Sequence, residues 1–212
     1  MSLDARWAHA WMRRTRAVIA DQRQYLVDLD RQIGDGDHGE NLDRGFAKVE
    51  EVLAAAPDIG VQEVLKTVAK TLMSTVGGAS GPLYGTAFLR AAKAVTSDEV
   101  EAAGVAALVA GALDGVQARG KAVEGEKTMV DAWAPALRAA QEAAAGGASP
   151  EETLARAAEA AEAGAKATEP MQATKGRASY LRARSIGHLD PGAVSTSLIL
   201  RAAADAAAEG EQ

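Results

Sequence analysis

Residues 149–167 read SPEETLARAAEAAEAGAKA, and this stretch decides the fold class. Ser149 and Glu152 stand three apart, as in a capping box, where each side chain satisfies a backbone N–H at the start of a helix. Pro150 suits the first helical turn, because the N–H it lacks would have had no partner there. Alanine then dominates, and alanine is the best helix former because it loses no side-chain entropy on ordering. The same bias runs through the chain: 50 of its 212 residues are alanine, about half of the 48% that is apolar. Aromatics make up only 4%, and the β-branched and aromatic runs that strands prefer are scarce. The composition predicts one all-α domain over residues 1–212, long enough to bury a core. That core is built from small side chains, so its helices approach closely.

Further start signals punctuate the chain. Thr96-Ser97-Asp98-Glu99 reads as another capping box, before a helix ending near Gly120. Asp58 opens an apolar run through Val64, Leu65, Val68 and Leu72 to Gly77-Gly78, and Pro82 begins LYGTAFLRAAKAV. A helix is expected from Lys127 to Ala145, and Asp190-Pro191 starts the last one. Short connections then join about eight or nine helices. Trp7 and Trp11, four apart on the first helix, read as core residues beneath a basic outer face of Arg13, Arg14 and Arg16. His9 reads as a surface residue. Two stretches read as non-helical: residues 33–41 (IGDGDHGEN) and residues 171–189, the latter long for a loop in a compact bundle. Loops of that length are functional or disordered. Residues 143–149 (AAAGGAS) read as a turn between helices.

Several function classes are excluded. With no cysteine there is no disulfide framework, thiolate metal site or cysteine nucleophile; this permits a reducing compartment without proving one, and a cytoplasmic setting is expected. No apolar run reaches the ~18–20 residues of a membrane span, and the N-terminus lacks a signal peptide's apolar stretch. A formal net charge of -6 and a pI near 5.2 argue against nucleic acid as a partner. On charge alone, a polyphosphate ligand is disfavoured too.

Three constellations carry chemistry. Asp30, Asp35 and Asp37, followed by His38 and Asn41, lie among Gly34, Gly36 and Gly39, which let the backbone fold tightly. Carboxylate oxygens are the ligands hard divalent cations prefer. Asp-x-Asp alone reads first as a solvated acidic turn; the helix-flanked Asp-Gly-Asp-His-Gly brings the metal reading level with it, and the lack of a twelfth-position glutamate argues against an EF-hand. Next, residues 77–82 (GGASGP) open a helix, where backbone N–H groups cradle phosphate. The lysine-bearing P-loop pattern is absent, and a plain turn is the alternative. Finally, Lys175, Arg177, Arg182 and Arg184 fall within ten residues, with no acidic residue between Pro170 and Leu189. They form either a solvated basic face or a phosphate-recognition loop, arginine's planar fork suiting phosphate oxygens. Acidic and basic loops together supply what metal-assisted phosphoryl transfer uses. His188 sits beside the basic loop.

With those residues in hand, the sequence resembles a known family. LDRQIGDGDHGENLDRGF, VGGASGPLYGTAFLRAA, GEKTMVDAWAP and KGRASYLRARSIGHLDPGA are similar, in order and spacing, to four signature blocks of the dihydroxyacetone kinase L domain. The match covers about residues 25–200. The length resembles the freestanding L subunits of phosphoenolpyruvate-dependent kinases; in ATP-dependent relatives the domain is fused behind a substrate-binding K domain.

The resemblance implies an eight-helix antiparallel barrel with a nucleotide pocket at one end. It implies that Asp30, Asp35 and Asp37 ligate two Mg²⁺ ions. His38, Gly39, Glu40, Asn41, Ala79 and Ser80 would contact the phosphates, and Gly120 and Met129 would border the adenine. Arg177, the catalytic residue, and the turn Asp190-Pro191-Gly192 would close the site. In the family, ADP stays tightly bound like a cofactor. A phosphohistidine on an M subunit charges it to ATP, and the γ-phosphoryl passes to dihydroxyacetone on a K subunit. No L-subunit residue is phosphorylated, so His38 and His188 would be binding residues. At Arg182 the family commonly has glycine, which puts the local loop conformation in question; at Glu40 relatives often carry an apolar residue. Two other functions stay open: a detached subunit of an ATP-using kinase for dihydroxyacetone or a related ketose, and a nucleotide-loaded regulatory protein. Monomer and homodimer both stay open.

Overall fold

Capping is where the chain's local chemistry is plainest. In the computed structural model, which describes residues 3–209, Ser149 Oγ accepts from the Glu152 N–H at 3.1 Å. Asp4 does the same for Arg6 and Trp7, and an Asp190 carboxylate oxygen accepts from Ala193 at 2.7 Å. Nine α-helices follow: α1 (Ala5–Asp21), α2 (Arg23–Ile33), α3 (His38–Ala54), α4 (Val61–Thr75), α5 (Ser80–Ala94), α6 (Ala102–Gly120), α7 (Val130–Ala145), α8 (Pro150–Ala167) and α9 (Pro191–Glu209). A 3₁₀ stretch, Arg177–Ser185, lies between α8 and α9. Among the described residues there is no strand beyond one antiparallel bridge, Leu3 with Val100, and no helix is long and apolar enough to cross a membrane.

Several sequence expectations shift. Ser97 Oγ does accept from the Glu99 N–H, at 3.2 Å, but this closes a turn and caps no helix. Val100 instead exchanges two backbone hydrogen bonds with Leu3, which holds the chain extended until α6 begins. Helix α4 starts after Gly60, where a side chain would clash with Asp98. Helix α7 starts at Val130 because Lys127, at φ 60°, cannot be helical. Residues 38–41 are helical: they form the first turn of α3. Helix α5 starts two residues before Pro82, and His9 is partly buried.

Helices α1, α3, α4, α5, α6, α7, α8 and α9 pack as successive neighbours, and α9 returns to α1. This closes a ring of eight, the barrel expected above, with α2 outside against α3. Small residues set the spacing. A Cβ on Gly111 or Gly115 would strike the Arg90 or Thr86 carbonyl of α5, and one on Gly164 would strike Asp131 and Pro135 of α7. Helix α7 buries Ala132, Ala136, Ala140 and Ala143, and α8 buries Ala157, Ala158, Ala161 and Ala165. The close approach lets dispersion contacts make up for the little area each methyl removes from water. Larger side chains fill the middle. Trp7 stacks on Trp11 with centroids 5.2 Å apart, and Trp11 meets Phe88 at 5.7 Å. Their indole N–H groups donate to the Ala203 and Ile199 carbonyls of α9 at 3.0 and 2.9 Å.

The alternating direction of the helices has a functional consequence. The connections α2–α3, α4–α5, α6–α7 and α8–α9 all fall at one end of the ring. Helices α3, α5, α7 and α9 therefore all begin there. Each contributes unsatisfied N–H groups and the positive end of its dipole.

Candidate nucleotide and metal site

At that end lies a cavity of about 190 Å³. Its acidic wall begins with Asp30 on the last turn of α2. Gly34 and Gly36 then turn the chain back on itself: a Cβ on Gly34 would clash with the Asp30 carboxylate, and Gly36 sits at φ 76°. The turn brings Asp37 and His38 over Asp30, whose Oδ2 accepts their N–H groups at 2.9 and 3.1 Å. Carboxylate oxygens of Asp30, Asp35 and Asp37 lie within 4.8 Å of one another. Burial, together with the charges of Asp35 and Asp37, raises the Asp30 pKa although the two N–H donors oppose the rise. An all-oxygen set holding excess negative charge fits a hard divalent cation. Across the mouth, the Arg177 guanidinium lies 3.0 Å from Asp35.

Facing the carboxylates are Gly78, Ala79 and Ser80 at the start of α5, with Gly78 at φ 65°. Pro191 and Gly192 at the start of α9 and Met129 at the start of α7 complete that wall. His38 is buried, and its Nε2 lies 2.8 Å from Ser195 Oγ, while its ring also bonds to the Pro191 backbone carbonyl. Burial pulls its pKa down to about 4, so the imidazole is neutral. Behind it, Tyr84 OH meets Ser195 Oγ at 2.6 Å and Thr196 Oγ1 at 3.0 Å. Burial and the charges of Asp131 and Asp30 push Asp190 up to about 7, against the Ala193 N–H and Lys127.

The structure brings Asp30, Asp35, Asp37, His38, Ala79, Ser80, Met129, Arg177, Asp190, Pro191 and Gly192 to this one cavity. Four sequence candidates lie elsewhere. Gly39 packs against Arg23 and Val27 of α2, and Glu40 is exposed on the first turn of α3. Asn41 is buried beside Gly77; its Oδ1 accepts from Arg44, and its Nδ2 has no partner among the described residues. Gly120 ends α6 with Leu83 as its neighbour. Conversely, Lys127, Thr128, Leu83 and Ile33 line the cavity unanticipated. The GEKTMVDAWAP block held Lys127 and Thr128 in plain view, but only their surroundings show where they point. Of the four basic-loop cations, Lys175 and Arg177 face the cavity. His188 lies outside it, with Nδ1 2.8 Å from Gln32.

The DAK2 domain matches residues 32–205, and the chain belongs to that family. Two of its relatives are similar over nearly their whole lengths. The chain is 43% identical over 202 residues to PEP-dependent dihydroxyacetone kinase 1, ADP-binding subunit DhaL, of Listeria innocua, covering 95% of this chain and 96% of that protein. It is 43% identical over 210 residues to the corresponding Escherichia coli subunit, covering 99% and 100%. Human triokinase/FMN cyclase is 35% identical over 90% of this chain, which spans 33% of that longer protein. The crystal structure of the dihydroxyacetone kinase from C. freundii in complex with AMP-PNP and Mg²⁺ superposes with a TM-score of 0.74 at 24% identity, over 97% of this chain and 34% of that one. That likeness establishes the fold.

Proposed function

We propose that this chain is the ADP-binding subunit of a phosphoenolpyruvate-dependent dihydroxyacetone kinase, a phosphotransferase that keeps ADP and Mg²⁺ bound as a resident phosphoryl carrier. The observation that carries the reading is the convergence of three carboxylates within 4.8 Å on an end where four helices begin. Helix N-termini favour phosphate oxygens, and clustered carboxylates favour the cations that accompany them. Net charge is therefore the wrong scale for this ligand, since the local field is set by dipoles, arginine and bound cations. Similarity to the DhaL subunits over 95–99% of the chain supports the same reading.

Bound nucleotide with Mg²⁺ supplies the acceptor oxygen and, once charged, the γ-phosphoryl group. The chain's own residues bind and orient. Asp30, Asp35 and Asp37 hold two Mg²⁺ ions, while Ala79 and Ser80 offer the α5 N-terminus to the phosphates. His38 lines their other side from the first turn of α3, and Gly39, Glu40 and Asn41 build that turn from outside the cavity. Met129 borders the base, with Gly120 packed against Leu83 of the cavity lining, and Asp190, Pro191 and Gly192 close the cavity from α9. Arg177 is the catalytic cation. Its pair with Asp35 is solvent-exposed, and such pairs contribute little, so the guanidinium is free to turn toward charge on the transferring group. The partners are an M subunit bearing phosphohistidine and a K subunit holding dihydroxyacetone, in the cytoplasm.

The test is donor choice. With a K subunit and dihydroxyacetone present, a phosphohistidine donor protein should support dihydroxyacetone phosphate formation, whereas free ATP at equal concentration should not. Turnover driven by ATP alone would move the assignment to a detached subunit of an ATP-using kinase.

A further inference from the structure

Lys127 has an unusual environment for a lysine. It is 1% exposed and adopts a left-handed backbone conformation, φ 60°, that a non-glycine residue adopts only at an energetic cost. Its Nζ donates to the carbonyls of Thr168 at 2.7 Å, Met171 at 3.2 Å and Glu169 at 3.4 Å, and to that of His188. Among the described residues no side-chain carboxylate bonds to it; Asp190, Glu169 and Asp131 act on it through their charge, against the burial that lowers its pKa. An ammonium has three donors, and all are spent on backbone from two separate places in the chain. Thr168, Glu169 and Met171 lead into the long α8–α9 connection, and His188 leads out. Residues 171–188 are thus a loop whose two ends meet on one side chain.

We propose that Lys127 is a positioning residue for phosphoryl transfer: its ammonium pins the neck of the 171–188 loop and so holds Arg177 over the carboxylate cluster. The proposal rests on the nucleotide site argued above. The remaining ties are lighter. Gly187 donates to the Glu169 carbonyl at 2.8 Å, and Thr174 donates to that of Glu126 at 3.3 Å. Inside the loop, Ser185 Oγ accepts from the Ala173 N–H at 2.9 Å, and a small apolar cluster of Ile33, Ala173 and Ala178 lies beneath. Gly187 and the Asp190 N–H, which donates to Thr168 Oγ1 at 3.0 Å, also join the two ends, but each does so with one neutral bond, whereas Lys127 gathers carbonyls from both ends onto one charged group of the cavity wall. Thr128 and Met129, the next two residues, line the cavity. One short segment therefore connects the base end of the site to the Arg177 end.

The loop carries its own reporter, since Lys175, Arg177, Arg182 and Arg184 are tryptic sites. In the ligand-free chain, Lys127→Met should be nicked within the loop about 10-fold faster than wild type, because local opening controls cleavage. Helix content by circular dichroism should be unchanged. Turnover in the reconstituted kinase should fall about 100-fold through misplacement of Arg177, with the KM for the K subunit unchanged. In Lys127→Ala, ethylammonium should restore slow nicking and turnover, and ethanol should not. A folded Lys127→Met with wild-type nicking and turnover, or rescue by ethanol as good as by ethylammonium, overturns the proposal. Should neither variant fold, acetylation of wild type read by mass spectrometry decides. Lys127 should label far more slowly than exposed Lys121, and about 10-fold more slowly again with Mg·ADP; no effect of Mg·ADP refutes the pin. Failure of wild type to bind Mg·ADP in calorimetry would sink the nucleotide reading instead, and nicking of the ligand-free variants would still test the pin.

Discussion

Arg182 sits at φ 52°, ψ −126°, a region that suits glycine and strains any residue with a Cβ. The surroundings hold it there. Its carbonyl accepts from Ser185 Oγ at 2.6 Å, and that hydroxyl in turn accepts from the Ala173 N–H at 2.9 Å, which ties the kink to the buried start of the loop. The guanidinium itself is exposed. Replacing Arg182 with glycine should relieve about 1–3 kcal/mol of backbone strain. Against this stands about 0.4–1 kcal/mol for the greater freedom of glycine in the unfolded chain. The net expectation is a gain of about 1 kcal/mol, or about 2–4 °C in Tm for a chain of this size. Urea unfolding of the nucleotide-free protein, followed by tryptophan fluorescence, reads it directly. Arg182→Ala is the control, since it removes the guanidinium but keeps the Cβ, and it should show no such gain. A midpoint for Arg182→Gly at or below wild type, or an equal gain for Arg182→Ala, would refute the strain account.

Three further outcomes follow from the packing and the site. Asp190 has a folded-state pKa of about 7 against an ordinary 3.8, so the folded chain holds this proton more tightly than the unfolded one. Its contribution to stability is complete below 3.8 and fades as pH rises to about 7; Asp190→Asn should therefore gain on wild type across that window in urea titrations without nucleotide, and a constant difference would count against burial as the cause. Trp11→Ala, which empties a fully buried site and removes the bond to the Ile199 carbonyl, should lower the unfolding free energy by about 3–5 kcal/mol in denaturant titration. Gly164→Ala drives a methyl into Asp131 and Pro135 and should cost about 1–3 kcal/mol, seen as a lower Tm with helix content retained.

What the sequence discloses depends on how far apart the interacting groups lie along the chain. The Ser149 cap is legible because donor and acceptor are three residues apart, and the Asp30/Asp35/Asp37 turn because eight residues with two glycines contain it. Thr96–Glu99 has the same cap chemistry, yet the bridge between Val100 and Leu3 overrides it from almost a hundred residues away. The resemblance to the L domain supplied Arg177 and the 190–192 turn, which local pattern alone leaves open. Lys127 escaped notice for a plainer reason: its partners are main-chain carbonyls 41 to 61 residues distant, and carbonyls leave no mark in a sequence. The glycine preference at position 182 was visible as a departure from the family; its cause was visible only as a dihedral angle.

The central claim is that this helical ring keeps a nucleotide at the end where its carboxylates meet four helix N-termini. Purifying the chain in Mg²⁺, desalting it extensively, denaturing it and quantifying released adenine nucleotide tests that claim most directly, with Asp35→Ala carried in parallel. Wild type should release ADP in stoichiometric amount and Asp35→Ala essentially none. A wild type that releases no nucleotide, or an Asp35→Ala that retains as much as wild type, would contradict the account.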